Sequence, residues 1–213
     1  SLASALDEVL DYIDGAATRL VLYGVEKPED NMILLADVLM SQVEELNKAI
    51  AGLQNPKDAE GRLELAQAST MAGVAFSNSM VGLVHALGHS LGAVCHIPHG
   101  LCMSIFLPYV LEYNQETNGE RIGELLLYLA GEEVFAATPK AQRATKAIQH
   151  IRAMRDELYQ RCKLPRTLTE TGKVREDQLT QVAELTVNDG AIIFNPKEAD
   201  VQDALAVLKR AWA

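Results

Sequence analysis

Residues 85–100 read HALGHSLGAVCHIPHG and contain four of the five histidines in the 213-residue chain. His85 and His89 are four residues apart, so on a helix their imidazoles project from the same face. Gly92 is expected to end that helix, and the next helix is expected to carry His99 in its first turn. The intervening turn is long enough to bring His99 back against the face that carries His85. Two imidazoles converging from neighbouring helices suit a divalent transition metal, so the stretch predicts a metal or catalytic site.

These histidines also allow a structural interpretation. A single histidine on an apolar helix is more often a core residue held by hydrogen bonds, whereas four in one short segment favour chemistry. Their spacing matches neither a zinc finger nor an HExxH motif, so the pattern alone does not identify the reaction. His96 fits a turn position, and His150 is expected to lie solvated on a charged helix.

Outside this stretch, apolar residues recur at helical spacing along most of the chain, which predicts an all-α, multi-helix bundle of about seven or eight helices. Residues 69–91 contain no Asp, Glu, Lys or Arg and are expected to form a buried helix pair, with the charged helix of residues 141–161 outside. The short β-like runs at residues 19–23 and 191–194 do not require a sheet. Breaks are expected at residues 24–29, 52–58, 92–98, 114–119, 137–139, 163–172 and 188–196. No repeat or linker divides the chain, so we expect one helical domain over residues 1–213.

The composition excludes several classes of partner. The formal net charge of −10 argues against binding to nucleic acid or to an anionic membrane surface. No apolar run reaches the roughly 18 to 20 residues that a membrane-spanning helix needs, and the first residues do not resemble a signal peptide. Three cysteines without paired spacing favour reduced thiols, and hence a cytoplasmic location.

The residues around the histidines resemble a known family. Residues 68–114 read ASTMAGVAFSNSMVGLVHALGHSLGAVCHIPHGLCMSIFLPYVLEYN. They are similar to the signature region of iron-containing (group III) alcohol dehydrogenases, which runs A-F-S-N, V-H-A-x-x-H-x-L-G, I-P-H-G and L-P-x-V-x-x-x-N. The end of the chain resembles the family's closing segment, with Asn195 and Pro196 in its Asn-Pro-Arg motif and Lys197 in place of the arginine. The resemblance implies the all-helical C-terminal domain of such an enzyme.

The resemblance also implies roles for individual residues. It places His85 and His99 on two metal ligands, His89 on the histidine that reaches substrate and nicotinamide, and Phe76 on a residue of the substrate pocket. On the first helix of the domain, Asp7 falls on a ligand aspartate and Asp11 falls where the family has a ligand histidine. Asp7 and Asp11 would share a helix face, either around a cation or as a solvated acidic face near a helix N-terminus.

In this family a bound Fe²⁺ (or Zn²⁺) acts as a Lewis acid on the alcohol oxygen while hydride passes to NAD(P). The strand and glycine-rich turn that bind a nicotinamide cofactor are not found in this sequence, so we expect the N-terminal nucleotide-binding domain to be absent. The chain is then a fragment or a free-standing domain, inactive by itself towards a small alcohol or aldehyde. Its exposed domain face could form a homo-oligomer. The alternatives are a non-catalytic helical module with a decayed metal site and a zinc-dependent relative such as glycerol dehydrogenase or dehydroquinate synthase.

Overall fold

The computed structural model describes residues 59–63, 66–67, 70, 73 and 80–213. Between residues 80 and 213 the chain forms five α-helices, which are α1 (Leu83–Cys95), α2 (His99–Ala137), α3 (Lys140–Cys162), α4 (Leu179–Thr186) and α5 (Val201–Arg210). Three short 3-10 helices at Thr169–Thr171, Glu176–Gln178 and Gly190–Phe194 connect the later helices. The described residues contain no strand, which confirms the all-α prediction there and places residues 191–194 in a 3-10 helix.

Helix α1 lies at the centre of the described core and packs against α2 and α4. Nearly every residue from Leu83 to Leu91 is buried, as expected for a charge-free segment. Gly88 permits a close approach to α2, because a Cβ at this position would lie 1.8 Å from Met103 Cε and 3.2 Å from Cys102 Cβ. This close packing fixes the face of α1 that carries the histidines against the start of α2.

One expected helix boundary was wrong. Helix α1 does not end at Gly92 but continues to Cys95, because burial of the helix outweighs the roughly 1 kcal/mol that a glycine costs in helix propensity. It ends at His96, whose backbone is left-handed (φ 54°) and whose N–H donates to the Gly92 carbonyl oxygen. The break expected at residues 114–119 is present as a kink inside α2, because Asn118 (φ −129°, ψ 18°) departs from helical geometry there.

The outer helix agrees with its prediction. Helix α3 covers the expected residues 141–161 and buries one stripe against α2, while half of its charged side chains are exposed and only Arg155 among them is buried. His150 on this helix is half-buried, so the expectation that it would be solvated was only partly met. Within the described residues, no helix is both long enough and apolar enough to span a bilayer.

Asn195 ties the closing segment to the beginning of the central helix. Its Oδ1 accepts hydrogen bonds from the backbone N–H of Leu83 at 3.2 Å and from Nδ2 of Asn114 at 3.0 Å. Its own Nδ2 donates to Asn114 Oδ1 at 2.9 Å and to the Lys197 carbonyl oxygen at 2.6 Å. Because α1 begins after Gly82, which has no side chain to cap the helix, Asn195 supplies that cap from a distant part of the chain.

Candidate metal and catalytic site

Three histidines of the signature stretch meet at the junction of α1 and α2. The ring centroids of His85 and His99 are 5.4 Å apart, those of His89 and His99 are 5.4 Å apart, and those of His85 and His89 are 5.7 Å apart. The structure therefore brings His99 back against the face that carries His85, as its position in the first turn of α2 predicts. Local geometry explains the cluster, since residues four apart on α1 share a face and only residues 96–98 separate the two helices.

The three imidazoles differ in exposure. His85 is 4% exposed and lies in the core, His99 is half-buried, and the side chain of His89 is 42% exposed. The cluster thus runs from the interior towards solvent, with His89 at its open side. This order suits a site in which the inner imidazoles hold an ion while the outer imidazole reaches a bound molecule.

Asp189 contacts the outermost of these histidines. Its Oδ2 lies 3.0 Å from Nδ1 of His89, although 100 residues separate the two in sequence. Its Oδ1 accepts a hydrogen bond of 2.8 Å from the backbone N–H of Ala191 and so caps the 3-10 helix Gly190–Phe194. Sequence reasoning did not identify Asp189, since an Asp-Gly pair before an apolar run indicates only a turn or a cap.

The described histidines fit part of a transition-metal site. Imidazole nitrogen is a ligand that suits Fe²⁺ and Zn²⁺. With metal–nitrogen distances of about 2.1 Å, two imidazoles on one tetrahedral ion have ring centroids roughly 5 Å apart, close to the separation found between His85 and His99. Among the described residues, however, no three His, Cys, Asp or Glu side chains are placed to hold an ion by themselves. A metal ion at this cluster would therefore need ligands from outside the described residues.

The structure describes only some of the other residues that the sequence analysis singled out. Asp7, Asp11 and Phe76 lie outside the described residues, so their proposed roles stay predictions. His96 occupies an exposed turn, as expected, and its carbonyl oxygen accepts a hydrogen bond from Nζ of Lys173. None of the three cysteines forms a disulfide, and Cys95 and Cys102 are buried whereas Cys162 is exposed.

Lys197, which stands where the family has arginine, contacts two residues of α2. Its Nζ lies 2.8 Å from Glu116 Oε2 and 4.6 Å from the centroid of the Tyr113 ring. The ion pair lowers the pKa of the Glu116 carboxyl through the hydrogen bond and charge of Lys197. A lysine therefore suffices for this contact, which joins the closing segment to α2.

Comparisons with known proteins identify relatives of this chain. Residues 35–212 match the family model described as Fe-containing alcohol dehydrogenase family, C-terminal. The chain is 31% identical over 165 residues to alcohol dehydrogenase 4 of Saccharomyces cerevisiae, covering 76% of this chain and 40% of that protein. It is 31% identical over 204 residues to the NAD-dependent methanol dehydrogenase of Bacillus methanolicus, covering 95% of this chain and 50% of that enzyme.

Solved structures show the same relationship. An iron-containing alcohol dehydrogenase from Thermococcus thioreducens superposes with a TM-score of 0.71 at 27% identity, covering 99% of this chain and 50% of that chain. The chain spans half or less of the length of these curated relatives. Asp7 and Asp11 precede the residues matched by the family model, whereas all the described histidines lie within them. The chain therefore belongs to the Fe-containing alcohol dehydrogenase family and corresponds to its C-terminal domain.

Proposed function

We propose that this chain is the metal-binding catalytic half of an NAD(P)-dependent alcohol dehydrogenase that interconverts an alcohol and an aldehyde. The observation that carries the proposal is the convergence of His85, His89 and His99 across the α1–α2 junction, with ring centroids 5.4 to 5.7 Å apart. The family match supports the reaction class, and the Bacillus relative, an NAD-dependent methanol dehydrogenase, supports NAD and an alcohol as the reactants.

In this proposal His85 and His99 hold the metal ion together with Asp7 and Asp11. Two carboxylates and two imidazoles form a harder ligand set than one carboxylate and three imidazoles, and such a set still accepts Fe²⁺ or Zn²⁺. His85 is buried and so lies on the inner side of the cluster, away from solvent, which supports its assignment as a ligand.

When bound, the metal supplies Lewis-acid polarisation of the substrate oxygen. His89, on the open side of the cluster, accepts or returns the hydroxyl proton of the alcohol. The apolar surroundings of α1 exclude water from the inner side of the site. Phe76 is assigned to the wall of the substrate pocket.

The nucleotide-binding domain needed for hydride transfer is a partner in this proposal, because dinucleotide sites are built on a strand and a glycine-rich turn. We therefore expect the 213-residue chain alone not to reduce NAD or NADP with an alcohol. A cytoplasmic location is part of the same proposal, and cysteines that form no disulfide are consistent with it.

A chimera tests the function directly. The chain would be joined behind the nucleotide-binding half of the Bacillus methanolicus enzyme, with which it aligns over 95% of its length. We expect the Fe²⁺-loaded chimera to form NADH from a primary alcohol. The variants His85→Ala and His99→Ala should abolish turnover. The control variant His150→Ala, on the outer helix, should leave turnover unchanged. A folded, metal-loaded chimera without turnover would support the non-catalytic alternative instead.

A further inference from the structure

Asp189 forms its hydrogen bond with one particular nitrogen of His89. The carboxylate Oδ2 lies 3.0 Å from Nδ1. An ionised carboxylate can only accept hydrogen bonds, so a neutral His89 that makes this contact carries its proton on Nδ1. Its other nitrogen, Nε2, is then a hydrogen-bond acceptor with a free lone pair.

The carboxylate itself is held in place. Its other oxygen, Oδ1, accepts the Ala191 backbone N–H at 2.8 Å, and the Asp189 backbone N–H donates to the Thr186 carbonyl oxygen at 3.2 Å. The Asp189 side chain is 23% exposed, so the contact with His89 lies partly out of water. The orientation of Asp189 is thereby set by the end of α4 and the following 3-10 helix, independently of His89.

The His89 ring is also restrained by its neighbours. It stacks on His99 with an angle of 21° between ring planes and meets His85 edge to face at 72°. These contacts fix the plane of the ring, while Asp189 fixes which edge carries the proton. Because Nδ1 and Nε2 lie on different edges of an imidazole, binding Nδ1 to Asp189 turns Nε2 away from the carboxylate.

We propose that Asp189 is a positioning residue that holds His89 in its Nδ1–H tautomer, so that Nε2 is the atom that exchanges a proton with the alcohol hydroxyl. This inference rests on the proposed function. In the oxidising direction, the carbon of the alcohol loses hydride to NAD(P)⁺ and its oxygen loses a proton to Nε2, which later passes that proton to water. With the opposite tautomer, Nε2 would already carry a proton and could not accept one.

The variant Asp189→Asn gives a sharp test. Asparagine keeps an oxygen for the Ala191 N–H, so its amide NH₂ takes the place of Oδ2 and donates to Nδ1 of His89. The substitution therefore preserves the local cap and reverses the tautomer that the contact favours. Asp200→Asn is the matched control, since Asp200 also caps a helix, at the start of α5, and accepts from the backbone N–H of Gln202.

The measurement is two-dimensional ¹H–¹⁵N NMR of the histidine rings in the ¹⁵N-labelled, metal-free 213-residue chain, at a pH where the rings are neutral. His89→Gln identifies the His89 signals. We expect Nδ1 of His89 to give a protonated, pyrrole-type shift in the unmodified chain and in Asp200→Asn, and a pyridine-type shift in Asp189→Asn. A pyridine-type Nδ1 in the unmodified chain, or an unchanged tautomer in Asp189→Asn, would overturn the proposal.

The tautomer of His89 in the unmodified chain is measured without any variant at position 189, so the test does not depend on the folding of Asp189→Asn. It is also independent of metal loading and of turnover. Failure of the tautomer prediction in a chain that binds metal would remove only the role of Asp189. Failure to bind metal with the predicted tautomer intact would remove the proposed function instead.

Discussion

Arg155 of α3 donates a hydrogen bond from Nη1 to the backbone oxygen of Ser104 in α2, at 3.3 Å, and a second to the oxygen of Ile105 at 3.0 Å. Pro108 lies four residues after Ser104 and has no N–H, so the Ser104 oxygen lacks its ordinary helical donor. Arg155 is only 6% exposed, and burial lowers the pKa of its guanidinium. The buried guanidinium of Arg155 thus donates hydrogen bonds to backbone oxygens of α2 close to Pro108.

Arg155→Met should lower the free energy of unfolding by about 1 to 3 kcal/mol, because it leaves a buried carbonyl oxygen unsatisfied. The loss should be smaller in a Pro108→Ala background, where residue 108 regains an N–H for Ser104. Urea denaturation of the two single variants and the double variant measures this coupling. Equal losses in both backgrounds would show that Arg155 does not compensate for Pro108.

Gly123 marks a close contact between α2 and α3. A Cβ there would lie 3.0 Å from Arg143 Cβ and 3.3 Å from the backbone nitrogen of Ala144, and neither atom can move without shifting α3. Gly123→Ala should therefore destabilise the protein by about 1 to 3 kcal/mol through overpacking. Gly119→Ala on the same helix, where the nearest atom would be Gln115 Cγ at 3.6 Å, should be neutral or stabilising by up to about 1 kcal/mol. Thermal unfolding of both variants checks the contrast, and a stable Gly123→Ala protein would contradict it.

Asn195 caps α1 and bonds to Asn114 on α2, so Asn195→Ala removes several partly buried hydrogen bonds at once. We expect the free energy of unfolding to fall by about 2 to 4 kcal/mol, because two or more polar groups lose their hydrogen-bond partners. Asn188→Ala is the control, because Asn188 is exposed and its Nδ2 donates to the Glu184 carbonyl oxygen within one turn. Chemical denaturation measures both variants. Equal losses in the free energy of unfolding would show that Asn195 does not stabilise the start of α1 as described.

Glu170 should make stability depend on pH. Its Oε1 lies 2.9 Å from Arg166 Nη2, and hydrogen bonding by Arg166 lowers the pKa of the carboxyl in the folded state. A carboxyl with a lowered folded-state pKa stabilises the protein fully above its unfolded-state pKa of about 4.3, and this contribution is lost as pH falls through the folded-state value. Glu170→Gln should therefore be less stable than the unmodified chain at pH 7.

The difference between the two proteins should shrink below about pH 4, where the unmodified carboxyl also becomes protonated. Added salt should reduce it at pH 7, because the pair is partly exposed. Thermal melts across pH give the comparison. A difference that does not change with pH would mean that Glu170 acts through packing and not through its charge.

The sequence predicted the parts of this structure that depend on local periodicity. The i,i+4 spacing of His85 and His89 and the first-turn position of His99 are local features, and the structure contains them as expected. The boundary at Gly92 was wrong, because the intrinsic cost of glycine is small beside the burial of α1. Asp189 could not be predicted, since its contact with His89 joins residues 100 positions apart that no sequence pattern links.

The claim that the histidine cluster binds a metal ion can be measured directly. Anaerobic equilibrium dialysis of the 213-residue chain against Fe²⁺, with Zn²⁺ in parallel, measures its stoichiometry and affinity. We expect about one metal ion per chain. Affinity should fall more than about tenfold in His85→Ala or His99→Ala and should not change in His150→Ala. A chain that takes up no stoichiometric metal, or one whose affinity is unchanged by His85→Ala and His99→Ala, would contradict the claim.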